Sequence, residues 1–175
     1  MLLPFAEYFP LPSFDLLRRS FGRVREFTPG PVATPLETRA GSALVSICNE
    51  AMFGRVVRAR MAPGESYLVN LTNDTWVPDM EFAEHQFNIA TMRAVEQKRY
   101  LVRASTSGPS GIVDPYGRVL KRTDAFSDAV LTGAIRSRSD VTVYHRFGDL
   151  FAWICLAAVV AVAVIFRRRG ARLVS

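Results

Sequence analysis

The feature that most narrows what this chain can fold into lies near its C-terminus. Leu150 to Phe166 (LFAWICLAAVVAVAVIF) is an unbroken apolar run of 17 residues, preceded by Asp149 and followed by Arg167-Arg168-Arg169. At about 1.5 Å of rise per residue, a helix of that length sits at the short end of what crosses the hydrocarbon core of a bilayer. Trp153 near one end suits an interfacial anchor, and the arginines, with Arg172, suit the cytoplasmic side. A cleaved signal would stand at the other terminus, and a buried core helix would leave three consecutive arginines unexplained. The expectation is one domain over residues 1–146 on the outer side of a membrane, a transmembrane helix over 147–169, and a cytoplasmic tail over 170–175.

Composition agrees. Apolar residues make up 49% of the chain, and the mean hydropathy of +0.12 is high for a soluble protein. A formal charge of +6 raises nucleic acid as a partner. Four of the 22 basic residues, however, belong to the membrane flank, and the rest are scattered among 16 acids apart from Arg18, Arg19, Arg23 and Arg25. With no RNA-binding motif, anionic lipid is the expected partner and nucleic acid is not. Two cysteines, Cys48 and Cys155, leave little scope for a disulfide framework, and Cys155 lies in the apolar run. His85 and His145 have no close Cys or His partners, so neither a metal centre nor a cofactor is expected.

Ala43 to Ile47 is apolar at four of five positions, which reads as a buried strand, and it stops abruptly at Cys48-Asn49-Glu50. A cysteine there can attack a carbonyl if a base and an oxyanion stabiliser stand nearby. It can equally be a small buried thiol, the ordinary condition of a free cysteine.

The rest of the chain alternates. Met1 to Pro12 is proline-rich and extended, Ser13 caps a short helix to about Arg19, and Phe27 to Gly41 is a loop. Ala51 to Met61 is helical and stops at Pro63-Gly64. Ser66 to Thr72 is a second apolar strand, ending in Asn73-Asp74. If the two strands are neighbours, both polar clusters lie on one rim of a sheet, where α/β proteins place sites. Phe82 to Lys98 is the best helix, with Ala83, Phe87, Ala90, Ala94 and Val95 forming its apolar stripe and Arg93–Glu96 a solvated pair. His85 is structural or exposed. Tyr100 to Ser105 is a third strand, Gly111–Val113 and Arg118–Leu120 form a hairpin about Asp114-Pro115-Tyr116-Gly117, and Ala129 to Ile135 is a last strand.

In this order the parts resemble the nitrilase, or carbon-nitrogen hydrolase, superfamily, and within it the C-terminal portion of the bacterial apolipoprotein N-acyltransferase family. The resemblance rests on Leu3-Pro4-Phe5-Ala6-Glu7-Tyr8, Ile47-Cys48-Asn49-Glu50, Asn70-Leu71-Thr72-Asn73-Asp74-Thr75-Trp76, Met92-Arg93-Ala94-Val95-Glu96, Val102 to Gly108 and Asp114-Pro115-Tyr116-Gly117. It implies an α/β fold, a partial nitrilase-like α-β-β-α sandwich followed by one C-terminal transmembrane helix.

It also implies a Glu-Lys-Cys chemistry with Cys48 as nucleophile. Cys48 takes an acyl group from a phospholipid donor as a thioester and passes it to the amine of a diacylglyceryl-apolipoprotein acceptor, in the bacterial inner membrane with the domain on the periplasmic side. Asn49 supplies an oxyanion-holding N–H, Glu7 and Glu50 support the site, and Trp76, Asn73 and Asp74 belong to a substrate loop. Two departures accompany the match. The positions of the family's lysine and general-base glutamate fall before Met1, so the 175-residue chain is expected to be inactive by itself. Asn49 stands where the family has an aromatic residue. A small-substrate amidase and an inactive membrane-anchored remnant are the alternative expectations.

Overall fold

The computed structural model describes residues 34–75 and 79–172, with side chains to residue 167. Its elements are β1 (Leu36–Thr38), β2 (Gly41–Ile47), a 3-10 turn (Cys48–Met52), α1 (Gly54–Arg60), β3 (Glu65–Thr72), α2 (Met80–Gln97), β4 (Tyr100–Ser105), β5 (Gly111–Val113), β6 (Val119–Arg122), α3 (Val143–Phe147) and α4 (Leu150–Arg172). The Ser13 helix and the Met1 to Pro12 segment lie outside the described residues.

The strands form one six-stranded sheet in sequence order. β2, β3 and β4 are parallel, with Leu44 beside Leu68 and Leu68 beside Leu101, while β1, β5 and β6 run antiparallel to their neighbours. Parallel neighbours need crossovers, and the 3-10 turn with α1, then α2, supply them. The expected adjacency of the Cys48 and Asn73 strands is therefore present, and Ile47 pairs with Leu71 at the rim.

Alternation along the strands decides what each face holds. Leu44, Leu68, Leu101 and Val113 point at the helices and pack with Ala51, Val57, Met61, Phe87, Ala90 and Ala94. The other face carries Val45, Val69 and Val102, half-buried, and ends at Ile47 and Leu71, which are exposed.

α2 begins earlier than its apolar stripe, because Asp79 caps it by accepting from the Glu81 N–H at 2.9 Å. Its buried face includes Gln86, Arg93 and Gln97, whereas Val95, placed on the stripe from sequence, is exposed. Arg93 does pair with Glu96 at 2.8 Å. The pair is not solvated, since Arg93 is buried and also donates to the Met52 carbonyl at 3.5 Å.

Besides α3, which the sequence reading did not contain, two strand assignments differ from it. The loop ending at Gly41 contains β1, a three-residue strand held against β2 by a tight turn at Arg39-Ala40. Ala129 to Ile135 forms no strand. Gly133 lies against Ile112 of β5, and Ser137 donates to the Ser66 hydroxyl of β3 at 2.8 Å. The segment thus crosses the strands, and a backbone running across a sheet cannot join its ladder.

Candidate active site

The C-terminal end of β2 is where the backbone departs most from strand geometry. Cys48 has φ 49, a left-handed conformation that costs an L-residue roughly 1–2 kcal/mol. The turn is sharp because the chain goes directly from strand into the 3-10 turn. Such strand-to-helix elbows lift a nucleophile clear of the sheet. Cys48 is half-buried. Asn49 is the second residue of the turn, so its N–H has no acceptor inside the helix and is available to an anion.

Side chains fix the elbow from three directions. Glu50 accepts from the Ile47 N–H at 2.9 Å and from Arg60 at 2.8 Å. Burial works against its ionisation, but the Ile47 amide and Arg60 guanidinium help to hold the carboxyl below its ordinary range. The Asn49 amide oxygen accepts from Gln86 of α2 at 3.0 Å, and Gln86 is buried. From below, the Asn70 amide donates to the Ser46 carbonyl at 3.2 Å and to the Cys48 carbonyl at 3.4 Å.

Asn70 is itself held. Its amide oxygen accepts from Arg103 of β4, which also donates to Asp74 at 3.1 Å and to the Pro109 carbonyl at 3.3 Å. The Arg103 and Asp74 side chains are each 1% exposed. Burial pulls the Arg103 pKa down, and the charges of Asp74 and Cys48 oppose that shift. Asp74 completes its shell with the Thr72 and Ser105 hydroxyls at 2.8 and 2.7 Å. The tips of β2, β3 and β4 are therefore joined by one buried polar network beneath the thiol. Gly108 is part of it by having no side chain: a Cβ there would stand 2.4 Å from the Asp74 carboxylate.

Of the residues singled out from sequence, Cys48, Asn49, Glu50, Asn73 and Asp74 gather at this rim. Asn73 is exposed and orders the loop by accepting from Thr75 and from the Thr106 hydroxyl at 2.9 Å. Asp74, in the same loop, is buried. Glu7 and Trp76 lie outside the described residues. His85 is exposed on α2, lining with Met52, Asp79, Phe82 and Gln86 a shallow hollow next to the elbow. Sequence reasoning did not single out Asn70, Arg103, Gln86 or Arg60; the available signal was a polar or charged residue at a helix-facing position of an otherwise apolar strand, as at Asn70 and Arg103.

The profile of the carbon-nitrogen hydrolase family matches residues 11–144. The chain is 35% identical over 171 residues to an apolipoprotein N-acyltransferase of Geobacter metallireducens, covering 97% of this chain and 33% of that protein. It is 37% identical over 177 residues to one of Methylococcus capsulatus, covering 97% and 34%. The chain thus spans about a third of the length of these curated relatives. Among solved structures, an amidase from Nesterenkonia sp. is similar over 58% of this chain and 41% of its own, at 19% identity and a TM-score of 0.48.

Proposed function

Because the chain belongs to the carbon-nitrogen hydrolase family, we propose that Cys48 is an acyl-carrying nucleophile and that the chain serves the N-acylation of lipoproteins at a membrane. The observation that carries this is the elbow: a lone cysteine at φ 49 between strand and helix, followed by a helix-start N–H from Asn49.

The chemistry follows from the thiol. Its thiolate attacks the ester carbonyl of a phospholipid; the C–S bond forms, the bond between the acyl carbon and the ester oxygen breaks, and the thiol's proton ends on the lysophospholipid hydroxyl. The α-amine of the diacylglyceryl-modified cysteine of an apolipoprotein then attacks the thioester carbonyl. The C–N bond forms, the C–S bond breaks, and the proton lost by the amine returns to sulfur. In both steps charge gathers on the carbonyl oxygen, where the Asn49 N–H stabilises it. Glu50 and Asn70 keep the turn in place, and the resemblance assigns Asn73, Asp74 and Trp76 to the loop that admits the acyl chain. The proton transfers belong to the glutamate and lysine of the resemblance, with Glu7 supporting them.

α4 suits a lipid substrate. Leu150–Arg167 has a mean hydropathy of 2.5 with none of it buried, which is long and apolar enough to cross a membrane. With Arg167-Arg168-Arg169 on the cytoplasmic side, the sheet domain stands on the periplasmic face of the inner membrane. The test is mass spectrometry of the protein isolated from its own membranes after incubation with phosphatidylethanolamine. A hydroxylamine-labile acyl adduct on Cys48, absent in Cys48→Ala, is the expected result. Consumption of small amides with no lipid adduct would make the chain an amidase, and neither activity would make it an inert anchor.

A further inference from the structure

α3 stands at the root of α4, and its two sides are unlike. The inner side is tied to the domain: the Thr142 hydroxyl donates to the Glu96 carbonyl, His145 bonds Gln97 at 2.8 Å, and Arg58 of α1 donates to the carbonyls of His145 at 2.8 Å and Arg146 at 3.2 Å. Among the described residues the outer side is apolar and exposed. Val143 and Phe147, four apart and so on one face, are 78% and 54% exposed, and Val141 is 64% exposed. Arg146 is exposed beside them. Only Gly148 and Asp149 separate this edge from α4, whose described side chains are all exposed.

An apolar edge with an arginine at its rim, continuous with a helix long enough to span, has the make-up of an element lying in the boundary between headgroups and acyl chains. Resting on the reading of α4 as a membrane span, we propose that α3 is an interfacial helix: Val143 and Phe147 sit in the lipid surface with Arg146 at the phosphate level. The consequence reaches the site. Arg58, which grips the end of α3, belongs to α1, and α1 follows the Cys48 turn after the single residue Phe53. The interfacial helix therefore sets the height of the Cys48 elbow above the bilayer, which decides how far an acyl ester must rise to reach it.

Site-directed spin labelling in phosphatidylethanolamine–phosphatidylglycerol vesicles tests this with the full chain. In a Cys48→Ala, Cys155→Ala background, single labels go on Val143→Cys, Phe147→Cys and, as a solvent-facing reference on α2, Asn88→Cys; the native Cys155, labelled in Cys48→Ala, reports the span. The expected result is a several-fold higher ratio of oxygen to nickel-chelate collisions at 143 and 147 than at 88, with Cys155 deeper still. Labels at 143 and 147 that match 88 while Cys155 is buried would overturn the interfacial helix and leave the span standing. Water access at Cys155 would overturn both. Dipolar broadening between labels at 147 would mean that a second copy covers this face, which also overturns the proposal.

Discussion

Cys48 holds a backbone conformation that its side chain does not favour, with φ 49 at a non-glycine residue. Glycine tolerates that region and alanine does not, so Cys48→Gly should be more stable than Cys48→Ala by about 1 kcal/mol in chemical denaturation. Equal stabilities would mean that the elbow relaxes once the thiol is gone. Beneath it, Arg103 and Asp74 are a buried pair in which loss of one partner strands the other. Arg103→Met should cost about 3–5 kcal/mol, with much of it recovered in Arg103→Met/Asp74→Leu, because burying an unpaired charge costs more than burying neither. A loss under 1 kcal/mol, again by denaturation, would show the network to be incidental. The cysteine and its two polar neighbours were legible in sequence because they are contiguous. Asn70 and Arg103 were quoted within motifs without a role, since their partnership exists only where β3 and β4 lie side by side in register.

At the scale of elements, the parallel strands and α2 were legible because long periodic segments carry their own signal. β4 lies where sequence put it, over Tyr100–Ser105. The two misread strands share a cause: both concern how a short segment meets the sheet. β1 is three exposed residues whose strand character comes from β2 alone, and Ala129 to Ile135 has strand composition but crosses the strands instead of pairing. The attachment of α3 carries a pH dependence. Burial, then the charges of Arg58 and Arg99, lower the His145 pKa from its ordinary 6.5. A base whose folded pKa is depressed favours the folded state while neutral, so the attachment holds above about 6.5 and weakens as pH falls below it. Hydrogen exchange at residues 143–148, corrected for intrinsic rate, should accelerate between pH 7.5 and 5.0 and lose that dependence in His145→Gln. A flat profile in the parent would contradict this role.

The described residues form a sheet with helices on one face; on the other, Ala43, Tyr67 and Ile112 are buried, Val45, Val69 and Val102 are half-buried, and Ile47 and Leu71 at the rim are 64% and 47% exposed. Fold class was legible at this scale from the order of motifs. Which residues hold the thiol in place was not, because the buried network is assembled by the sheet. Transfer of an acyl group from lipid to amine by Cys48 is tested most directly by a chase experiment. Protein from its own membranes is loaded from a phospholipid with a labelled acyl chain, stripped of free lipid, and given a diacylglyceryl-cysteine peptide. The label should leave Cys48 and appear as an amide on the peptide's N-terminus. Label that remains on the protein, or emerges only as free fatty acid, would contradict it.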